Sequence, residues 1–406
     1  MTARHTDLGL ALLDAEFLQD PYPLYARMQA EGAVHRVGAS DFFAVCGRAA
    51  VEEAVARPDT FSSNLTGAIR YMPDGTVDLL PLDSLGSPTQ ALATADDPAH
   101  AAHRRMLIPH LAAKRIGALE TFVAQTMTAL WQDVTDVGVT EWMSAVANPL
   151  PMKVICELIG IPREDTDRVG QWAYASTQVL DGRVDDPKLA AAGTAALELA
   201  GYIAEQMEAS AAEPGHTLLG DLARACGTGE VELITAQVML VTLFSAGGES
   251  TASLIGSATQ IIASRPELQR RLRDDPTLIP AFLEEVLRFE PPFRAHYRHV
   301  VADCDLAGHP LDAGSRLLLL WGAANRDPAH LEAPHEFRLD RPNSKGHIAF
   351  GKGAHFCVGA ALARLESRVV LEHLITRTSW IEAAAPGRWL PSLLVRRLAE
   401  LPLSFS

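Results

Sequence analysis

The sequence predicts a mainly helical chain with a minor β component, an α+β fold in the mainly α class. Three observations point there. Glu232 to Ser264 is one long segment that is apolar nearly all round, as a helix enclosed on most sides requires. Residues 115 to 212 run as a succession of helical patterns, broken around Val137-Gly138, Gly160-Ile161-Pro162 and Asp181-Gly182-Arg183. Strand signals are short and scattered, at 34–45, 303–320 and 380–406.

Length and composition bound the rest. The chain has 406 residues, 48% of them hydrophobic, which is ample for a large core. One fold over residues 1–406 is expected rather than separate domains. The net charge of −15 argues against nonspecific nucleic-acid binding. Five scattered cysteines (46, 156, 226, 304, 357), with no C-x-x-C, read as free thiols in a reducing compartment. Asp7 and Asp14 interrupt the apolar run near the N-terminus, which excludes a signal-peptide reading there. The weakly polar run Leu233 to Gly248 is shorter than a bilayer span. A cytoplasmic protein with no membrane anchor is the expectation.

Along the chain, residues 20 to 31 read as a short helix entered through Pro21 and Pro23. Val34–Val37 and Phe42–Val45 flank Gly38-Ala39-Ser40-Asp41 as a β-hairpin, and Arg48 to Arg57 is helical. Residues 60 to 95, rich in Gly, Pro, Asp, Ser and Thr, are too long for an ordinary connection and read as a functional loop. Asp96-Asp97-Pro98 opens a helix that carries His100 and Arg104 on one face. Asp303 to Leu320 reads as two strands, and Trp380 to Ser406 as several short ones.

Two stretches carry chemistry. Within the long apolar segment lies Ala246-Gly247-Gly248-Glu249-Ser250-Thr251. Adjacent glycines inside a helix cost about 1 kcal/mol each against alanine. Either a neighbouring element or a ligand must come close there. A carboxylate followed by two hydroxyls suits proton delivery. The second stretch is Phe350-Gly351-Lys352-Gly353-Ala354-His355-Phe356-Cys357-Val358-Gly359, a glycine-rich loop running into a helix. The N–H groups and dipole of a helix N-terminus favour an anionic sulfur, either nucleophile or metal ligand. No Gly-Lys-Ser or Gly-Lys-Thr follows, so this is not a phosphate-binding loop.

The pattern Phe350, Gly353, Cys357, Gly359 closely resembles the haem-binding loop of the cytochrome P-450 superfamily. The central stretch is similar to the same family's oxygen-activation motif. Ser250 stands where threonine is commonest, so which of Ser250 and Thr251 is the active alcohol stays open. The resemblance covers the chain from about residue 20 to its end.

It implies the cytochrome P-450 fold, a long central helix over haem with small β-sheets, and haem b (iron protoporphyrin IX) as cofactor. Cys357 would be the iron ligand. Phe350, Gly353, His355, Gly359, Ala246, Gly247, His100, Arg104 and Arg298 would contact the haem, the cationic members through its propionates. Glu249, Ser250 and Thr251 would handle protons. Glu285, Arg288 and Arg341 would tie the fold together. Tyr71, Met72, Leu79, Leu80, Leu82, Leu85 and the segment Leu390–Leu394 would wall the substrate pocket, and the break at 181–187 would be its lid. Arg294 and His296 are polar for a substrate-facing stretch; either one meets an acidic substrate group, or both turn toward solvent or propionate.

The implied activity is a monooxygenase acting on a small, largely apolar molecule. A ferredoxin and its reductase would supply electrons, docking near Lys352, Arg104, Arg105 and Arg364. The alternatives are a haem-thiolate enzyme that does not hydroxylate (oxidative coupling, dehydration or peroxide-driven) and a haem sensor or binding protein.

Overall fold

The computed structural model describes residues 7–82, 89–132, 134, 138–183, 185–212 and 215–406. Its spine is the helix Leu233–Ala263, 31 residues and so about 46 Å long. Every residue from Thr251 to Thr259 is buried. This helix is long and apolar enough to cross a bilayer, more so than the run read from sequence. Its second half is instead enclosed by protein. Helices Pro149–Ile159, Thr166–Ser176, Asp186–Ala212 and Ile279–Phe289 pack against it, and so does Ala360–Arg377, the helix that follows Cys357.

The β component is peripheral. The larger sheet has five strands in the spatial order Val34–Arg36, Phe42–Val45, Arg316–Leu320, Ala295–Val300, Phe61–Ser62. Its first pair is the expected hairpin, in the register Val34↔Val45. Residues 303–320 supply three strands rather than two, Cys304–Leu306, His309–Leu311 and Arg316–Leu320. The extra one arises because Gly308, at a φ of +80°, turns the first pair as a hairpin of its own.

The stretch expected as one functional loop is mostly built. Gly67–Tyr71 and Val77–Pro81 pair antiparallel, with Gly75 at a φ of +87° in the turn. Leu85 lies outside the described residues.

The helix Ile279–Phe289 and the segment that leads to the cysteine loop are tied by one buried acid. Glu285 is fully buried and accepts from Arg288 at 2.7 and 2.8 Å, from Arg341 at 3.1 Å and from the Arg338 amide at 2.9 Å. Both arginines spend their remaining donors on carbonyls between Asn325 and Glu336. The three residues expected to hold the fold together do meet.

Candidate functional site

The cysteine loop is shaped by its glycines. Gly351 and Gly353 have φ near +72° and +71°, a region that strains any side chain. The loop closes when the Cys357 amide donates to Phe350 O at 2.8 Å and the Phe356 amide donates to Gly353 O at 3.1 Å. Helix Ala360–Arg377 then begins, and the amides of Gly359 and Ala360 point at the sulfur.

Burial nevertheless pushes the Cys357 thiol up, against those amides and the charges of Arg104 and Arg364. The helix terminus alone does not make a thiolate here. A bound cation would, since a coordinated thiol loses its proton outright.

Cys357 lines a cavity of about 240 Å³. Ala246, Gly247, Ser250, Thr251 and Leu254 of the central helix line the same cavity, as do Ala363 and Glu366 from the helix after the cysteine. His100, Arg104, His296, Arg298 and His355 also lie on its wall. Leu92 and Ala93 are what the 60–95 region contributes, whereas Tyr71, Met72, Leu79, Leu80 and Leu82 are not on this wall. Leu393, expected on the pocket, packs against the 181–183 loop instead, with Cδ1 where a Gly182 side chain would stand.

The two glycines divide their work. A methyl on Gly248 would meet Met152 Cε at 2.5 Å, so helix packing accounts for it. Gly247 lines the cavity, and a methyl there would also meet Ile155 at 3.3 Å.

The cationic wall suits an anionic ligand. Arg298 is buried; among the described residues its guanidinium bonds only Tyr297 O, at 2.8 Å, and no carboxylate bonds it, although the charge of Asp96 favours its charged form. Burial pulls it down to about 10. The imidazoles of His100 and His355 stack at 3.9 Å. Burial, then its neighbours His100 and Arg298, pulls His355 down to about 4. A buried guanidinium that bonds no carboxylate, beside two suppressed imidazoles, leaves room for further negative charge, as a propionate would supply. Arg104 does something else as well: its Nη1 donates to Phe356 O at 2.8 Å and braces the cysteine loop.

Among the described residues no cluster of three or more ligating side chains could hold a metal ion. A flat macrocycle that brings its own ligands and takes one more from Cys357 fits this site.

Arg294 is not a substrate contact. It is buried, with Nε on Val395 O at 3.2 Å and Nη2 on Leu18 O, because three chain segments meet there with free carbonyls. His296 is on the cavity wall. Its Nδ1 accepts from Trp321 Nε1 at 2.6 Å, and burial pulls the ring down to about 3. It is therefore neutral, with its proton on Nε2.

The proton-handling motif is split. Ser250 and Thr251 face the cavity; Ser250 donates to Ala246 O at 2.5 Å, and Thr251 has no hydrogen-bond partner among the described residues. Glu249 does not line the cavity. Its Oε1 accepts from Arg397 Nε at 3.1 Å, on another side of the helix.

Among the described residues the acid that does reach the wall is Glu366, which lies outside both sequence motifs. It is buried and its Oε2 has no partner. Burial raises it well above the usual carboxylate range. The signal was an acid on the apolar face of a helix, in line with Leu362 and Ala363.

Such a group holds a proton in the folded chain that it releases on unfolding above about pH 4.5, so stability falls as pH rises from there. E366Q removes that slope. Thermal unfolding of both proteins between pH 5 and 8 should show the variant gaining on its parent toward pH 8; parallel curves would mean the acid is ionised and paired in solution.

Comparison with known proteins agrees with this geometry. The cytochrome P450 family model matches residues 227–387. The chain is 59% identical to Cytochrome P450 144 of Mycobacterium tuberculosis, over all of this chain and 94% of the relative. It is 32% identical to the cytochrome P450 monooxygenase PikC of Streptomyces venezuelae, over 99% and 95% of the two chains. The solved structure of CYP164A2 from Mycobacterium smegmatis superposes at a TM-score of 0.86 with 27% identity, covering 98% of this chain and 99% of that one. Full-length identity and fold together make this chain a member of the cytochrome P450 family, an oxidoreductase of the haem-thiolate monooxygenase kind.

Proposed function

We propose that this P450 inserts one oxygen atom from dioxygen into a small, largely apolar organic substrate. Its cofactor is haem b on Cys357, and its electrons come from a ferredoxin and reductase. The observation that carries the reading is that Cys357 and the hydroxyls of Ser250 and Thr251 share one cavity. When bound, the haem supplies the redox chemistry that activates dioxygen, with electron density pushed from the thiolate.

The chain's own residues do the remainder. His100, Arg298 and His355 hold the propionates, and His296 offers Nε2–H on the same wall. Arg104, Phe350, Gly353 and Gly359 shape the loop around the sulfur, and Ala246 and Gly247 leave room beside it. Ser250 has given its hydrogen to Ala246 O, so it meets the cavity as an acceptor. Thr251 is free to donate or accept. Glu249 resupplies them with protons. Leu92, Leu243 and Phe293 give an apolar wall that suits an apolar substrate and keeps bulk water out.

Arg105 and Phe356, the latter 46% exposed beside the cysteine, are the centre of the donor-docking face. Lys352 and Arg364 lie there too, already paired with Glu52 and Glu284. The whole chain works as a single domain. Its free cysteines suit the cytoplasm.

E249Q is the test of the relay. Product formation should fall about a hundredfold, while the haem spectrum and substrate-induced Soret shift stay as in the parent. Turnover equal to the parent's would remove Glu249 from the reaction. Peroxide-driven turnover without electrons or dioxygen would point to a non-hydroxylating haem-thiolate enzyme instead.

A further inference from the structure

A second cavity shares no residue with the wall around Cys357. It is an open groove of about 650 Å³. The helix Tyr22–Glu31, the C-terminal ends of the central helix and of Ile279–Phe289, and the side chains of Arg326, Trp389 and Arg396 border it.

Cations and rings alternate along this groove. The guanidinium carbon of Arg396 stacks 3.5 Å from the centroid of the Trp389 ring. That of Arg326 lies between Tyr22, at 3.2 Å, and Phe289, at 3.6 Å, two rings stacked 6.3 Å apart. That of Arg265 lies 5.3 Å from Phe289 and 4.8 Å from Phe337. With rings against their faces, these groups recognise anything further through their N–H edges.

The three cations are unequally paired. Glu290 is the buried acid of the groove. It accepts from the Tyr22 hydroxyl at 2.7 Å and from Arg396 Nε at 2.9 Å, and its other oxygen lies 3.6 Å from Arg326 Nη2. Arg396 also donates to Gln19 O at 2.7 Å. Arg326 grips Phe289 O with Nε at 3.0 Å and with Nη2. Its side chain is 5% exposed, yet its Nη1 has no partner among the described residues.

Arg265 has neither a carboxylate nor a carbonyl for its side chain among the described residues. Burial pulls its guanidinium below the ordinary value, and Arg326 adds to this against Glu267, Glu290 and Glu285. It does not cap the central helix. The carbonyls of Gln260 and Ile262 are taken by the amides of Ser264 and Arg265, and that of Ile261 by the Ser264 hydroxyl. The wall thus sets three guanidinium groups against one buried acid and the exposed Asp20.

We propose that this groove is a second ligand site, which takes the phosphate or carboxylate group of a small anion between Arg265 and Nη1 of Arg326. Both guanidinium groups lie against the Phe289 ring, so one oxyanion can bridge them, and their planar forks suit either class. The buried position of Arg326 suits a small anion better than the flat surface of a protein partner. The site stands apart from the reaction at Cys357, and its failure would leave the reading of that reaction untouched.

Titration calorimetry with inorganic phosphate, and separately with citrate, tests this in the haem-loaded enzyme at an ionic strength held constant with sodium chloride. Haem then fills the other cationic wall, and its absorption spectrum should not change as the ion binds. The parent should take one ion per chain with a Kd of about 1 mM or tighter, and its unfolding midpoint should climb with ion concentration. R265Q should weaken binding about tenfold or more while keeping the parent's haem spectrum. R265K, which keeps the charge and loses the fork, should fall between them, and decides if R265Q does not fold. R270Q, which removes an exposed arginine of the next helix, Pro266–Asp274, should bind as the parent does.

Binding of phosphate alone or of citrate alone would support the site and name its chemical class. No saturable binding of either ion, or binding by R265Q and R265K equal to the parent's, would overturn the proposal and leave the stacked arginines a structural brace.

Discussion

Cys357→Ala should abolish product formation and remove the thiolate signature from the spectrum of the reduced carbon monoxide complex. The protein should still take up some haem, because Arg298, His100, His355 and His296 remain on the cavity wall to meet it. The expectation follows from what the sulfur is in the chain by itself. Burial outweighs the Gly359 and Ala360 amides and keeps the thiol protonated, so its charge is created by the metal and is worth little to the fold before that.

Without haem, the variant should therefore unfold within about 1 kcal/mol of the parent. With haem the two should diverge, since a ligand that binds only the native state adds stability in proportion to its affinity. Denaturant titrations of both proteins with and without haem, beside the carbon monoxide spectrum, measure this. A variant that kept the parent's spectrum would mean that another side chain holds the iron.

How much of this was legible in the sequence depended on whether the physics was local. The cysteine loop was, because Gly351 and Gly353 are needed where the backbone turns left-handed, and the hairpin at 34–45 and the helix 233–263 announced themselves by period and length. The direction of a side chain was not. Glu249, Ser250 and Thr251 are contiguous, yet successive residues on a helix point about 100° apart. They cannot all face one cavity, and Glu249 does not.

Its partner Arg397 and the buried acid Glu366 are defined by neighbours far along the chain, which no window of sequence contains. The same holds for Arg294, whose polarity suggested substrate or solvent while its real partners are the carbonyls of Leu18 and Val395.

The second large effect is expected at Glu285. E285Q should cost about 3–5 kcal/mol, a large share of the 5–15 kcal/mol available to an ordinary fold. One carboxylate here serves two buried guanidinium groups, so the cluster already carries an excess positive charge that carbonyls between Asn325 and Glu336 help to solvate. Neutralising the acid leaves two buried cations with dipoles alone, and the amide cannot accept four hydrogen bonds on one oxygen.

The damage should travel to the cysteine, because Arg341 and Arg338 belong to the segment that runs into Phe350 through Ile348, whose amide is held at 2.8 Å by Asn325. Urea unfolding should show the lower midpoint, and purified E285Q should carry less haem per chain than the parent even where it is folded. E285D, which keeps the charge but shortens the reach, should fall between the two. A variant as stable and as fully loaded as the parent would mean that the carbonyls alone carry the arginines, and that the ion pairs add nothing to the frame around the sulfur.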